Sequence, residues 1–171
     1  LDRKMLIRGE KEAGDHEKIG AQLIVLHTPM IAQHLEGVQF TNVGQQTRLG
    51  RYPIHFHMSE CVHGSTVAKN VVWQSNQRCF VIHGTHNVTL SENVAYDTRG
   101  HCYMLEDGGE WDNKVSWMKA RSCDVHVHID FESIAHVILL SHFIIIIVYS
   151  QPGCANTGTR RLQQQGRFDP R

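Results

Sequence analysis

Short β-prone runs separated by polar turn residues recur along most of the chain, and no stretch of useful length repeats its apolar positions at the helical period. NVVW, CFVI, NVAY and CYML read as strands, with QSNQR and DTRGH as the turns between them. The runs repeat as a unit. VAKNVVWQSNQRCFVIHG, from Val67, lies over LSENVAYDTRGHCYMLEDG, from Leu90, at an offset of about 23 residues. Asn70 then meets Asn93, Val71 meets Val94, Trp73 meets Tyr96, Cys79 meets Cys102, Phe80 meets Tyr103 and Ile82 meets Leu105. Chemical type is kept at each step, which predicts stacked coils. Such a coil cannot bury its own apolar positions and is stabilised by strands about 4.8 Å away on the next coil.

A looser copy precedes these two: EGVQF from Glu36, the polar insertion TNVGQQTRLG as a protruding turn, then RYPIHFHM. A fainter one follows at NKVSWM, from Asn113. A β-sandwich would need hairpin turns between alternating strands, and no Asn-Gly or Asp-Gly here has convincing strands on both sides. The expected fold is all-β, a partial right-handed parallel β-helix, with residues 1–22 as a leading strand and turn, 23–125 as the coils and 126–171 as an atypical tail. That tail holds IAHVILLSHFIIIIVYS, shorter than the roughly 20 residues of a membrane helix and interrupted by His136 and His142. A membrane segment, an aggregation-prone strand and a chain end foreign to the repeat all stay open for it.

Composition narrows the function classes. With 171 residues and 41% hydrophobic content, one domain is the default. Lys plus Arg (17) balances Asp plus Glu (17), so no basic field gathers nucleic acid. Many of the 13 histidines lie between His55 and His101, and such a cluster can ligate metals. Five cysteines without CxxC spacing argue against a zinc ribbon or a thioredoxin-like motif. Asn87-Val88-Thr89 is a weak glycosylation signal. The charged opening LDRKMLIRGEK lacks a signal-peptide core and a first methionine, and reads as the start of a piece of something longer.

Three segments carry a resemblance: LGRYPIHFHM (Leu49 to Met58), RCFVIHGTHNV (Arg78 to Val88) and ENVAYDTRGHCYMLEDGGEWDN (Glu92 to Asn113). They closely resemble the β-helix region of the family that includes the cell migration-inducing hyaluronan-binding protein, the transmembrane cell-surface hyaluronidase and fibrocystin-L. The resemblance covers roughly residues 23–120, with LIRGE a weaker match near the start. It implies an extracellular or cell-surface right-handed β-helix, membrane association through a parent protein, and a hyaluronan-like uronic-acid polysaccharide as partner, bound or depolymerised. Fibrocystin-L implies instead a non-catalytic receptor ectodomain. Fold transfers more safely than activity.

Strand alternation then places the chemistry. If Ile54, Phe56, Phe80, Ile82, Tyr103 and Leu105 point inward, His57, His83 and Glu106 form one outward column, with His55 beside the first and Asp107 beside the last. That column suits general acid–base catalysis by His57, His83 and Glu106, or a divalent metal such as calcium held by His55, His57, His83 and Asp107. A hydrogen-bonded ladder without further function is the competing reading. Arg51, Arg78 and His101, at nearby turns, are candidates for binding an acidic glycan, and the two arginines could equally bridge coils to Asp97 or Glu110. Asp107-Gly108-Gly109-Glu110 could offer oxygen ligands to calcium or be a tight turn. Asn70 and Asn93 are expected as a structural ladder, and Trp73 and Tyr96 as core aromatics that would stack on sugar only if exposed. Cys79 and Cys102 are expected on adjacent coils within bridging distance, as a disulfide or as neighbouring thiols.

Overall fold

The computed structural model describes residues 5–10, 18–28, 31–129, 135–140 and 143–148, with side chains up to Arg121. All regular structure among them is β, and the strands stack on three faces of a partial β-helix. The first face carries β1 (Met5–Arg8), β4 (Val38–Thr41), β7 (Val71–Trp73), the opening of β10 (Val94–Leu105) and the middle of β11 (Lys114–Ile129). On the second lie β2 (Leu23–Val25), β5 (Ile54–Cys61), β8 (Phe80–His86) and the close of β10. The third takes β3 (His34–Glu36), β6 (Thr66–Ala68), β9 (Thr89–Ser91) and the opening of β11. Every pairing between these strands is parallel, which excludes the sandwich. Val71 pairs with Val94, Trp73 with Tyr96, Phe80 with Tyr103 and Ile82 with Leu105, the register of the sequence repeat.

Single left-handed residues turn the chain from face to face. Gly37, Lys69, Glu92 and Trp117 stack at one corner with φ of 71°, 56°, 54° and 55°. Only the glycine adopts this conformation without steric cost. The others are held by the ladder itself: Gly37 N donates to Ala68 O, Lys69 N to Ser91 O and Glu92 N to Ser116 O.

Just past that corner the fully buried Asn70 and Asn93 close the ladder from inside. Val38 N donates to Asn70 Oδ1 (3.0 Å) and Asn70 N to Asn93 Oδ1 (2.9 Å). Their amide nitrogens donate to Leu35 O (2.9 Å) and Val67 O (2.8 Å). Between the three faces sits one apolar core, including Phe40, Ile54, Phe56, Val67, Val72, Phe80, Ile82, Leu90 and Tyr103.

Two sequence expectations are corrected. Trp73 and Tyr96 are not core aromatics, being 38% and 42% exposed, because they alternate with the buried Val72 and Ala95 and so face outward. Cys79 and Cys102 do sit on adjacent coils, with Cys79 N donating to His101 O (3.0 Å), but they form neither a mutual bridge nor a pair of thiols. Cys79 is a free, buried thiol while Cys102, like Cys61, is in a disulfide. Shared register brings two backbones to bridging distance without selecting which cysteines pair.

The apolar run of the tail forms strands. β12 (Ala135–Leu140) and β13 (Phe143–Val148) make an antiparallel hairpin, and β13 pairs antiparallel with Lys114–Met118 of β11. No helix among the described residues is long and apolar enough to cross a membrane. The Pro/Gly- and Gln-rich end, residues 151–171, lies outside the described residues.

Candidate functional site

Ile54 and Phe56 enter the core, so His55 and His57 project from the opposite side of β5. His55 pairs with Val81 and His57 with His83, and Val81 in turn pairs with Met104. Glu106 N donates to Ile82 O (3.0 Å), which carries the alignment one residue past β10. His57, His83 and Glu106 thus occupy one column on the outside of the second face.

Outside is not the same as exposed here. Tyr52, Val81 and Met104 form a second small apolar cluster on this side, and His55 is only 1% exposed beneath it. The Tyr52 ring lies 4.7 Å from that of His55. The column opens gradually toward solvent, from Glu106 at 16% side-chain exposure through His83 at 23% to Asp107 at 50%.

Hydrogen bonding fixes how each imidazole is presented. His55 Nδ1 lies 2.9 Å from Gly50 O, and only a protonated Nδ1 can donate to a carbonyl, which leaves the lone pair on Nε2. That Nε2 is buried with no hydrogen-bond partner, 3.9 Å from Glu106 Oε2. Burial pushes the His55 imidazole down to about 4, so it is neutral near neutral pH. His83 Nε2 sits 3.2 Å from Asp107 Oδ2, and its Nδ1 faces His57 Nδ1 at 3.0 Å and Glu106 Oε2 at 3.6 Å.

The two oxygens of Glu106 have different surroundings. Oε1 accepts from the Tyr52 hydroxyl (2.7 Å) and from Arg78 Nη1 (2.6 Å), while Arg78 Nη1 also lies 2.7 Å from the Tyr52 oxygen. Oε2 is left facing the imidazoles. Tyr52 is pushed up to about 12, by burial first and by its bond to the Glu106 carboxylate second. A phenol so held stays a donor across the physiological range.

Of the candidate glycan-binding residues, the structure brings only Arg78 into this cluster. Its partner is Glu106, in place of Asp97 or Glu110. The strand register puts Tyr52, Arg78 and His101 at equivalent positions, two residues before Ile54, Phe80 and Tyr103. Tyr52 and Arg78 reach Glu106 from the two preceding coils. Arg51 points away: its side chain is exposed at the foot of the insertion turn.

Asp107 stands behind His83, on the ring nitrogen away from His57 and Glu106, rather than among the converging nitrogens. Those come from His55, His57 and His83, one from each, all within 4.8 Å of one another. Glu110 is fully buried, and its Oε1 accepts from Gly84 N and Asp107 N, each at 3.0 Å. Asp107-Gly108-Gly109-Glu110 is thereby a turn clamped by the protein's own carboxylate. Sequence reasoning missed Tyr52 and the Gly50 carbonyl: Gly50 ends an insertion that the next coils lack, and at the register position of Tyr52 those coils carry Arg78 and His101, so no like residue repeats there. Their one visible signal was direct contiguity with the His55/His57 strand in GRYPIHFH.

Comparison with known proteins places this geometry in a family. The chain is 41% identical over 117 residues to protein rliB of Dictyostelium discoideum, which covers 68% of this chain and 10% of that protein. It is 49% identical over 81 residues to a G8 domain-containing protein of the same organism, over 47% of this chain and 7% of the relative. Human cell surface hyaluronidase CEMIP2 is 32% identical over 132 residues, 67% of this chain and 9% of that protein. The chain therefore spans at most about a tenth of the length of these relatives. The model of the CEMIP β-helix matches residues 18–119, a stretch that takes in all three resembling segments, and the chain belongs to the CEMIP β-helix family.

Proposed function

We propose that this chain is part of an extracellular or cell-surface protein that binds and depolymerises a uronic-acid polysaccharide of hyaluronan type, with His57, His83 and Glu106 carrying the chemistry. The observation behind this reading is the column itself: two imidazoles and a carboxylate on successive coils, partly open to solvent, in a chain whose relatives include a cell surface hyaluronidase. Arg78 adds a cation beside the column, suited to a sugar carboxylate once it shares or releases Glu106. The disulfide-bonded state of Cys61 and Cys102 agrees with an oxidising, extracellular setting.

The test is the shortening of hyaluronan chains by the full-length parent protein. His83→Ala is expected to abolish shortening while leaving the β-rich circular dichroism spectrum intact, because an outward, partly exposed imidazole contributes little packing. Unchanged shortening would overturn the assignment of the column.

A second reading, a non-catalytic receptor segment, is favoured by one specific contact. Tyr52 and Arg78 together occupy Glu106 Oε1, which is how a structural ion pair looks. A parent protein that binds hyaluronan without shortening it, and keeps binding after His83→Ala, would support this alternative.

A further inference from the structure

The column has two jobs open to it, proton transfer and metal binding, and the hydrogen bonds around it discriminate between them. Three imidazole nitrogens converge within 4.8 Å. For two of them, the opposite ring nitrogen is occupied in the manner of a metal-bound histidine, which hands its other N–H to a carbonyl or carboxylate. His55 does so through Gly50 O at 2.9 Å, and His83 through Asp107 Oδ2 at 3.2 Å. Each arrangement leaves a lone pair directed at the shared space.

His55 supplies the second and independent sign. Its Nε2 is buried on a residue 1% exposed and has no partner, a costly arrangement for a polar atom that something else does not satisfy. The His57 and His83 Nδ1 atoms stand 3.0 Å apart, close enough for two ligands of one ion. Glu106 Oε2 is 3.6 Å from one converging nitrogen and 3.9 Å from another. Its Oε1 is fixed by Tyr52 and Arg78, so the carboxylate cannot rotate away.

We infer that His55 Nε2, His57 Nδ1, His83 Nδ1 and Glu106 Oε2 are the ligands of one divalent transition-metal ion of the zinc, cobalt or manganese class. Asp107 is a positioning residue that orients His83, and not a ligand. Calcium does not fit this donor set, since it takes six to eight oxygens, whereas three neutral imidazoles and one carboxylate suit a borderline first-row ion. The inference deepens the reading of this column as the polysaccharide site, yet it is read without any polysaccharide.

Cobalt(II) is the probe, because its visible absorption reports nitrogen ligation directly. The full chain, without an affinity tag, is titrated with cobalt(II) after chelator treatment. Because the chain has 13 histidines, the variants rather than the wild-type titration carry the conclusion. We expect one tight cobalt(II) per chain, displaced by stoichiometric zinc(II) and not by millimolar calcium. His57→Ala and Glu106→Gln each lower the affinity at least tenfold, and Asp107→Asn lowers it by roughly 10- to 100-fold while the spectrum keeps its shape.

Because His55 is buried and its replacement can unfold the chain, the decision rests on the three more exposed positions, each checked by circular dichroism. Calcium displacing cobalt(II), or tight cobalt(II) binding that survives both His57→Ala and Glu106→Gln, would overturn the inference. Hyaluronan binding that persists in a chain unable to hold any of these ions would sink the metal site alone. Tight cobalt(II) binding without any hyaluronan binding would sink the polysaccharide reading alone.

Discussion

Two polar columns run up this β-helix at the same coil spacing, and they are finished differently. Inside the corner between the third and first faces, Asn70 and Asn93 use their side-chain oxygens and nitrogens on neighbouring coils. On the outside of the second face, His57, His83 and Glu106 stand on the same kind of ladder. There the buried Nε2 of His55 has no partner, and two histidine nitrogens face one another. A closed network of buried amides rigidifies the coil. An open one, built of groups that bind protons and metals, stores unsatisfied capacity at one place. The contrast teaches where stability and where chemistry reside.

The largest effect should come from opening the closed column. Asn93→Ala strips the partner from Asn70 N and from Val67 O, both inside the coil, and should destabilise the chain by about 2–4 kcal/mol. Urea unfolding followed by circular dichroism measures it. A loss below about 1 kcal/mol would mean that water or backbone shifts replace the ladder, and the contrast would lose its structural half.

Next comes the support of the open column. Tyr52→Phe removes the phenol that donates to Glu106 Oε1 but keeps the ring that roofs His55, so stability should fall by about 1–2 kcal/mol. Arg78 still holds the same oxygen at 2.6 Å, which limits the loss. If this variant costs more than Asn93→Ala, Tyr52 and Glu106 belong to the scaffold more than to the site.

A third measurement concerns a group that takes part in neither column. Burial pushes the Cys79 thiol up to about 12, and it is fully enclosed. Iodoacetamide at pH 8 should leave Cys79 unmodified in the native chain and label it after denaturation, as peptide mass spectrometry would show. Native labelling would mean that the core beside Phe80 opens far more readily than a stacked coil should.

How far these columns could be read from sequence depends on how local their determinants are. The Asn70/Asn93 ladder and the Phe80/Tyr103 and Ile82/Leu105 pairs were legible, because stacking demands like residues at like positions and the repeat displays them. The His57–His83–Glu106 column followed from the same register, since alternation fixes the face once the core positions are known. The burial of His55 was not legible. It depends on Tyr52, just past the insertion, packing its ring against the imidazole, and on Val81 and Met104 being apolar on an outward face. Arg78 and Arg51 looked equivalent because sequence gives turn positions without giving reach. The aromatic pair Trp73/Tyr96 misled for a related reason: aromatic type is kept on successive coils whether it faces the core or the solvent.

Of these variants, His83→Ala should perturb the fold least. His83→Ala removes the side chain that lies 3.0 Å from His57, 3.6 Å from Glu106 and 3.2 Å from Asp107, more polar contacts than many buried residues make. Yet its side chain is 23% exposed, its neighbours are groups that water can solvate once it is gone, and the core residues Phe80 and Ile82 of the same strand are untouched. Stability should therefore change by less than about 1 kcal/mol, well under the cost of Asn93→Ala. Measured by urea unfolding of metal-free chain, a destabilisation as large as that of Asn93→Ala would show that both columns are structural ladders of one kind. A neutral or stabilising result would show that the histidines occupy their places at no benefit to the fold, as residues held for binding do.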